Sequence, residues 1–584
     1  MAVLQINLDY NGKDVVCEFP YHPRLVSVIQ VSAPAPRWDA RKKNWKLPAN
    51  ELTAKWVKEF PTLFPDIKLT TTKKLTKYLK SRSDTAISLA TIKDLAATRL
   101  KSVDGAEYFL APYAHQKEAL RFLVRRAKAG VPHAALFYEM GTGKTKVIID
   151  ATKILKWKKI LVAVPKTVIL SWRREIKKNL PKGSYRIIDA TRGNVRKRAE
   201  AIADVIHLPS RLTTFVLVNY DALRIKHMMG TLEAVEWDCI TLDESTYIKT
   251  PKALRSKAAI KLGESGKFRV IMTGTPVTNN YLDLFAQFKF LDSSILGIPT
   301  FTAFKATYAQ YDYPFKDPKR RNIPILRGYR HIDDLLAKIS LHSMIKTIDE
   351  CLDLPEKAPP IIRSVSLDDF PEAKKAYHEM RKHLLTLLED GTEVSASNIL
   401  TQLLRLQQIT SGFVTDEDGT EISLGEAPKI TALLEFVDEI GDKEQVVVWA
   451  RFRHDIREIE RALATRGSVG VVTGSVTGKH RDKVINDFEA GKHRFFVATP
   501  RTCGFGIDLI SARYTIWYSP SFSLEERYQA DARTRRAGQK RRTFYVDLIV
   551  EGTIDELILT AIHRKSSLLD YVMDVGAKNL GTKI

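Results

Sequence analysis

The residues best suited to chemistry form a glycine-rich loop, Glu-Met-Gly-Thr-Gly-Lys-Thr, at 139–145. The apolar run 134–137 precedes it and the helical pattern 147–150 follows it, which predicts strand, loop and helix. Such a loop turns backbone N–H groups onto phosphate oxygens, and the helix N-terminus adds positive potential. The residues predicted to hold the phosphates of a nucleotide are Met140, Gly141, Thr142, Gly143, Lys144 and Thr145.

Two residues of this loop have distinct predicted roles. Lys144 would reach the β- and γ-phosphates, and the hydroxyl of Thr145 would ligate Mg²⁺. The strict loop pattern has glycine at position 138, where this chain has Tyr138. The loop is therefore a good indication of a nucleotide site, and a second element is needed to support it.

Adjacent carboxylates, Asp243 and Glu244, supply that second element. They end the apolar run 240–242, so a strand would deliver them to the carboxyl edge of a sheet, where ligands bind in open α/β folds. Asp243 could hold Mg²⁺, while Glu244 could orient and deprotonate an attacking water. A pair of surface acids is the alternative. The phosphate-binding loop about 100 residues upstream favours the catalytic interpretation.

Composition narrows the class of protein. The chain has 584 residues, which suggests three or four domains, and 92 Lys and Arg against 68 Asp and Glu give a net charge of +24. An excess of this size indicates a polyanionic partner, usually nucleic acid. The four cysteines form no CxxC pair and fit a reducing compartment. With no signal peptide or long apolar run, we expect a cytoplasmic or nucleoid protein. The compact build without long disordered tails favours a bacterial or phage-infected cell.

The pattern along the chain predicts an α/β protein. Short strands alternate with helices over 109–290 and again from 445, which is typical of doubly wound parallel sheets. Residues 291–430 break this alternation and are predicted to be mostly helical. The predicted domains are a small N-terminal α+β module at 1–67, a basic connector at 68–108, a first lobe at 109–355 with a helical insertion at about 291–350, and a second lobe at 356–584 with an insertion at about 365–430.

The ordered motifs resemble those of superfamily 2 helicases, most closely the Swi/Snf branch of double-strand DNA translocases. The segments that carry the resemblance are 112–116, 141–145, 164–168 with Ser171 and Trp172, 218–221, 243–246, 273–276 with Asn279, 446–451, 504–509 and 529–539. The resemblance extends over about residues 109–560, which is most of the chain. This resemblance implies two RecA-like lobes with ATP and Mg²⁺ bound between them.

The resemblance also implies roles for individual residues. Gln116 would bond the adenine edge. The residues implied to couple the nucleotide site to DNA are Thr273, Thr275, Gly504, Gly506 and Asp508. The residues implied to contact DNA, on the edge of the lobes opposite the nucleotide, are Lys166, Thr167, Asn219, Tyr220, Arg451, Lys479 and Arg501.

The segment 529–539, which reads QxxxRxxRxGQ beginning at Gln529, is the most specific motif. Its spacing places Arg533 and Arg536 on one face of a helical turn. A guanidinium fork suits the γ-phosphate of a nucleotide held by the other lobe, as an arginine finger does. The alternative is a basic helix face that is solvated or contacts DNA. The motif at 243–246 departs from the family pattern, because Ser245 and Thr246 replace Ala and His.

The N-terminal module resembles the HARP module of annealing helicases. The resemblance rests on a β-hairpin followed by Arg37-Trp38-Asp39 and Lys43-Asn44-Trp45-Lys46, and it implies recognition of branched DNA. Arg37, Trp38 and Trp45 are the predicted DNA contacts. The alternative is that the two tryptophans form a small β core.

Four functions remain open from the sequence. The leading hypothesis is an ATP-dependent DNA translocase that remodels or reanneals branched or forked DNA. The others are a strand-separating helicase on DNA or, less favoured, RNA, a non-catalytic DNA-binding or annealing protein, and the motor of a restriction or anti-invader complex. No pin element and no nuclease motif is recognisable in the sequence.

Overall fold

A computed structural model describes most of the chain. The described residues are 4–11, 14–33, 36–49, 51–207, 211–278, 280–312, 325–389, 396–416, 418–474, 476, 478–503 and 507–563. They form two compact units. The first comprises Met1–Tyr138, Gly143–Val277 and Tyr281–Lys346, and the second comprises Glu139–Thr142, Thr278–Asn280 and Thr347–Ile584.

The first unit begins with a small α+β module. Its elements are β1 (Leu4–Tyr10), β2 (Asp14–Glu18), α1 (Pro23–Ser32), β3 (Arg37–Asp39), β4 (Asn44–Pro48), α2 (Glu51–Leu63), β5 (Ile67–Thr71) and α3 (Lys73–Asp94). The strands form one sheet in the order β3-β4-β2-β1-β5. The predicted hairpins β1–β2 and β3–β4 are present, and the predicted turn residue Gly12 lies outside the described residues.

The module boundary predicted at residue 67 is too early. Strand β5 pairs in parallel with β1, and Leu75 of α3 is buried in the same core as Ile6 and Phe60. Helix α3 continues toward the next core, because Leu89 is buried and the Lys93 ammonium donates to the Ser340 carbonyl at 3.0 Å. The predicted connector therefore begins with a strand of the N-terminal module, followed by helix α3, which packs on the module core and reaches Ser340.

The rest of the first unit is a RecA-like lobe, lobe 1. Its elements are α4 (Lys101–Asp104), α5 (Ala114–Lys128), β6 (His133–Tyr138), α6 (Lys144–Ile154), β7 (Lys159–Val164), α7 (Ile169–Asn179), β8 (Tyr185–Asp189), α8 (Val195–Ala203), β9 (Thr213–Asn219), α9 (Lys226–Glu233), β10 (Trp237–Asp243), α10 (Leu254–Gly263), β11 (Gly266–Met272), α11 (Leu284–Leu291), α12 (Phe301–Tyr308), β12 (Ala309–Asp312), β13 (Ile325–Tyr329), α13 (Ile332–His342) and β14 (Ser343–Lys346).

A seven-stranded sheet forms the centre of lobe 1, in the order β14-β6-β11-β10-β7-β9-β8, and all its strand pairs are parallel. Alternate residues of β7 and β10 enter two different cores, as expected for a sheet covered by helices on both faces. The predicted helical insertion is only partly helical, because β12 and β13 pair with each other and β14 joins the main sheet beside β6. A four-residue strand gives too short a pattern to be distinguished from a helix end.

The second unit contains RecA-like lobe 2. Its elements are α14 (Ile348–Cys351), β15 (Ile361–Val365), α15 (Pro371–Glu389), α16 (Ala396–Thr410), β16 (Phe413–Thr415), β17 (Glu421–Ser423), α17 (Pro428–Glu439), β18 (Val446–Trp449), α18 (Arg453–Leu463), β19 (Val469–Val472), α19 (Gly478–Glu489), β20 (Phe495–Ala498), α20 (Pro500–Cys503), β21 (Tyr514–Trp517), α21 (Leu524–Asp531), β22 (Phe544–Val550) and α22 (Ile554–His563). Its main sheet, β15-β22-β21-β18-β20-β19, is parallel throughout.

Short 3-10 turns complete the described structure, at Leu95–Ala97, Lys166–Val168, Asp204–His207, Tyr220–Arg224, Ser245–Ile248, Tyr281–Asp283 and Leu367–Asp369. The predicted fold class, two doubly wound parallel lobes with a small N-terminal α+β domain, is confirmed. Across the described ranges, none of the helices is long and apolar enough to cross a membrane.

Candidate active site

The glycine loop joins β6 to α6, and Gly141 and Gly143 both have φ near +80°, a left-handed backbone that favours glycine. A Cβ at Gly143 would also clash with the side-chain amide of Gln116. Thr142 donates its hydroxyl to the Glu139 carbonyl at 2.7 Å, and Met140 is buried. The loop is therefore shaped by close packing as well as by its own turns.

Gln116 lies beside this loop at the start of α5. It is buried, and its Oε1 accepts the Tyr113 N–H at 3.0 Å. The structure thus gives the residue predicted to read adenine a second role, because its amide packs on the backbone of Gly143. That role follows from a contact across 27 positions, which no local pattern shows.

Three neighbouring strands bring the loop and the two acids to one edge of the lobe 1 sheet. Strand β11 lies between β6 and β10, and in register Met272 pairs with both Leu136 and Asp243. Because parallel strands end at the same edge, the residues that follow them meet there. The predicted phosphate-binding loop and acid pair are therefore adjacent in the fold.

Asp243 is buried, and burial raises the pKa of its carboxyl. The nearby Lys144 ammonium and the hydrogen bond from Trp172 oppose that shift by favouring the carboxylate. Trp172 Nε1 donates to Asp243 Oδ2 at 2.7 Å, and the Glu244 N–H donates to Oδ1 at 3.0 Å. Lys144 itself donates to the Tyr138 carbonyl at 2.7 Å.

This set of groups fits a hard divalent cation. Each Asp243 oxygen accepts one hydrogen bond and keeps a further lone pair, and Thr145 at the start of α6 adds a hydroxyl. Carboxylate and hydroxyl oxygens beside nucleotide phosphates are the ligands that Mg²⁺ prefers. A buried carboxylate of raised pKa would also be stabilised in its charged form by such an ion.

Glu244 has a left-handed backbone, with φ 50° and ψ 57°, although it is not glycine. Such strain persists only where the surroundings fix it, and it is concentrated at functional sites. The Thr273 hydroxyl donates to Glu244 Oε2 at 3.2 Å and accepts the Thr275 N–H at 3.2 Å. The two threonines predicted to couple the site to DNA thus meet the candidate general base, Thr273 directly and Thr275 through Thr273.

Tyr220 differs from its prediction as a DNA contact. Its side chain is only 2% exposed, and its hydroxyl donates to the Asp243 carbonyl at 2.7 Å. Its ring stacks on Tyr247 with centroids 5.2 Å apart. Tyr220 therefore supports the acid-bearing strand from inside the lobe and is not positioned to touch DNA.

The other predicted DNA contacts of lobe 1 follow β7 and β9. Lys166 is exposed, and Thr167 and Asn219 are half-buried. Strand β7 is the next strand after β10, so these residues lie at the same carboxyl edge of the sheet as Asp243, further along the row of strands. The expectation that they would lie on an opposite edge is wrong for this lobe, because all its strands are parallel.

In lobe 2, Arg533 and Arg536 lie close together, but not on one face of a helix as predicted. Helix α21 contains Gln529 but ends at Asp531, so the two arginines lie in the turns that follow and not on a helical face. Both guanidinium groups donate to the Ile507 carbonyl, at 3.3 and 3.2 Å. Arg533 also donates to the Gln529 carbonyl at 3.0 Å, and Arg536 forms an ion pair with Asp508.

The other lobe 2 residues predicted to contact DNA or to couple it to the nucleotide site differ in exposure and in whether the structure describes them. Arg451 is partly buried, with its guanidinium 4.2 Å from the Phe522 ring centroid and donating to Gln407, so part of its side chain is engaged within lobe 2. Arg501 is exposed on α20, as a DNA contact must be. Gly504, Gly506 and the side chain of Lys479 lie outside the described residues.

The two tryptophans of the β3–β4 hairpin differ in burial. They face each other across β3 and β4 with centroids 5.4 Å apart, but Trp45 is only 9% exposed while Trp38 is 52% exposed. Trp45 therefore belongs to the small β core, and the prediction that it contacts DNA is wrong. Arg37 is paired with Asp14 at 2.7 Å, and Arg41, Lys42 and Lys43 are exposed in the hairpin turn.

Comparison with known proteins agrees with this geometry. A model of the SNF2-related domain matches residues 115–412, and a model of the helicase conserved C-terminal domain matches residues 428–538. An uncharacterized ATP-dependent helicase of Mycoplasma genitalium is 26% identical over 78% of this chain and 41% of its own length. The mouse DNA repair and recombination protein RAD54-like is 24% identical over 79% of this chain and 66% of its own.

A SWI2/SNF2 ATPase core from Sulfolobus solfataricus, solved with double-stranded DNA, is 23% identical with a TM-score of 0.36, over 82% of this chain and 97% of that one. This chain spans 41%, 49% and 40% of the lengths of three bacterial relatives. The SNF2-related match alone covers more than half of the 584 residues, with the phosphate-binding loop, the acid pair and the threonines inside it. The chain therefore belongs to the SNF2-related family of superfamily 2 helicases.

Proposed function

We propose that this protein hydrolyses ATP with Mg²⁺ and uses the reaction to move along duplex DNA. The observation that carries the proposal is the buried arrangement around Glu244, in which Thr273 holds the carboxylate and Asp243 lies beside Lys144. A carboxylate fixed in this way can orient a water and accept its proton. A surface pair of acids would have neither the burial nor these partners.

The nucleotide would be held by the glycine loop and by the acids at the end of β10. Lys144 and the N–H groups of the glycine loop would bind the phosphates, while Asp243 and Thr145 would ligate Mg²⁺, which would offset charge on the phosphates. Trp172 fixes the orientation of the Asp243 carboxylate. Arg533 and Arg536, already grouped around the Ile507 carbonyl, are proposed to contact the γ-phosphate.

We further propose that the DNA is branched or forked and that the protein remodels or reanneals it. The N-terminal hairpin supports this, because an exposed Trp38 stands beside the exposed cations Arg41, Lys42 and Lys43. An aromatic face can stack on an unpaired base at a junction while cations bind the flanking phosphates.

ATP hydrolysis measured without nucleic acid, with single strands, with blunt duplex and with forked duplex tests the proposal. Lys144→Ala and Glu244→Gln are the controls, and each is expected to lose about 100-fold or more in kcat. Strong stimulation by duplex, and more by forked duplex, supports the proposal. Stimulation by single strands alone would favour a strand-separating helicase, and no hydrolysis with any substrate would leave a DNA-binding protein.

A further inference from the structure

Gln287 is a fully buried amide on α11, a helix whose other buried residues are apolar. Its Nε2 donates to the carbonyls of Pro276 and Asp283, both at 2.9 Å, and its Oε1 accepts the Ser245 hydroxyl at 2.6 Å. Two carbonyls can only accept, so the nitrogen end of the amide must face them and the oxygen end must face Ser245. The orientation of the side chain is thus fixed by its partners.

These contacts close a ring around the candidate general base. Glu244 accepts from Thr273, and Thr273 accepts the N–H of Thr275. The chain then continues to Pro276, whose carbonyl is bound by Gln287, and Gln287 binds Ser245, the residue that follows Glu244. The ring joins the loop after β10 to the loop after β11 at two places.

We propose that Gln287 is a positioning residue for ATP hydrolysis, which sets the position of Glu244 relative to the 273–276 loop through Ser245 and Pro276. The left-handed backbone of Glu244 needs such support, since nothing in its own side chain favours it. A shift of the 273–276 loop reaches Glu244 by two routes, through Thr273 and through Gln287. The inference rests on the proposed function, since it concerns the same reaction.

Gln287→Met tests this inference, because methionine has a similar volume but cannot make the three hydrogen bonds. We expect kcat for ATP hydrolysis to fall about 10-fold or more, because small misplacement of a catalytic group is costly. The KM for ATP should stay within about 2-fold, since the phosphate-binding loop is untouched. Ser245→Ala should lower kcat in the same direction, and the double variant should lose no more than Gln287→Met alone.

Gln445→Met is the matched control. The Gln445 amide also binds two carbonyls, those of Phe488 and His493, but it lies in lobe 2 and outside the ring. Its kcat should stay within about 2-fold of the parent, because only structural hydrogen bonds are removed. Thermal unfolding of every variant shows whether a reduced activity reflects a disrupted fold.

A Gln287→Met protein with the kcat of the control, or with a loss confined to KM, would overturn the inference. If Gln287→Met does not fold, Ser245→Ala is the deciding variant, because it removes only one hydroxyl. An unchanged kcat in Ser245→Ala would then overturn the inference. A parent protein that does not hydrolyse ATP would instead refute the proposed function. The two failures are therefore distinguishable.

Discussion

Trp172 shows at the scale of one residue how a site depends on donors far away in the sequence. Its indole N–H binds Asp243 Oδ2 across 71 positions and holds the carboxylate plane. We predict that Trp172→Phe raises the concentration of Mg²⁺ needed for half-maximal hydrolysis about 10-fold, as loss of a group that orients a metal ligand does. Titration of hydrolysis against Mg²⁺ at fixed ATP measures this effect.

Trp237→Phe is the control for that substitution. Trp237 is also fully buried in lobe 1 and donates its indole N–H, at 2.9 Å, to the Leu232 carbonyl away from the site. It should cost stability without changing the Mg²⁺ dependence. Equal Mg²⁺ curves for the two variants would show that the Trp172 hydrogen bond does not matter to the metal site.

The site residues that the sequence predicts are those in contiguous motifs. Lys144, Asp243 and Glu244 are recognisable because a strand end and a short spacing bring them to the edge of a sheet. Trp172, Tyr220 and Gln287 acquire their roles only from neighbours that folding brings close. For the same reason the prediction that Tyr220 and Trp45 contact DNA is wrong, since residue type does not report burial.

At the scale of elements, the turn from β6 into α6 requires glycine for two reasons. Gly143 has φ 81°, and a Cβ there would meet the Gln116 amide. We predict that Gly143→Ala weakens ATP binding and destabilises lobe 1 by more than the roughly 1–2 kcal/mol of a left-handed alanine alone. Nucleotide titration and thermal unfolding measure the two effects.

Gly130→Ala separates the cost of a left-handed alanine from the cost of a clash with Gln116. Gly130 has φ 71°, but no atom lies within 4 Å of the position its Cβ would take. Its alanine variant should show only the backbone cost, with ATP binding unchanged. If both variants behave alike, the packing of Gln116 on the loop has no part in binding.

Lobe 2 contains a buried acid whose ionisation should affect stability. Burial raises the pKa of Asp455 to about 7, and Asp555 adds to this while Ser519 and Lys429 oppose it. Between the unfolded pKa of 3.8 and about 7, the folded state holds a proton that the unfolded state has lost. Folding stability contributed by this group therefore decreases as pH rises through that range and is level above it.

Asp455→Asn removes this ionisation. We predict that the parent protein loses more stability than the variant between pH 5 and pH 8, as measured by thermal unfolding at a series of pH values. Parallel curves for the two proteins would contradict the assignment.

Most strands could be predicted because they are apolar runs that a two-sided parallel sheet buries completely, as in β7, β18 and β20. Strands β5 and β14 could not, because their partners, β1 and β6, lie far away in the sequence and their own patterns are short or polar. Local periodicity does not indicate which distant edge a short strand will join.

At the scale of the whole molecule, a net charge of +24 agrees with the proposed binding to DNA, and binding that neutralises phosphates weakens as salt rises. We predict that Arg41→Ala, Lys42→Ala and Lys43→Ala together weaken binding to forked duplex and reduce the slope of log K against log salt by about 0.9 for each phosphate that is no longer neutralised. Equilibrium binding over a salt series measures both. The control replaces three exposed cations that are ion-paired in the structure, Arg196, Lys261 and Lys492.

The control removes the same charge from other places, so it should change the slope less. An equal change in both proteins would mean that the hairpin contributes only net charge and does not bind DNA directly.

The most direct test of movement on duplex DNA is displacement of a third strand from a triplex, with ATP and with Glu244→Gln as the inactive control. We predict that the parent protein displaces the third strand only when ATP is hydrolysed and leaves the underlying duplex paired. Duplex-stimulated hydrolysis without displacement, or separation of the duplex strands, would contradict translocation on double-stranded DNA.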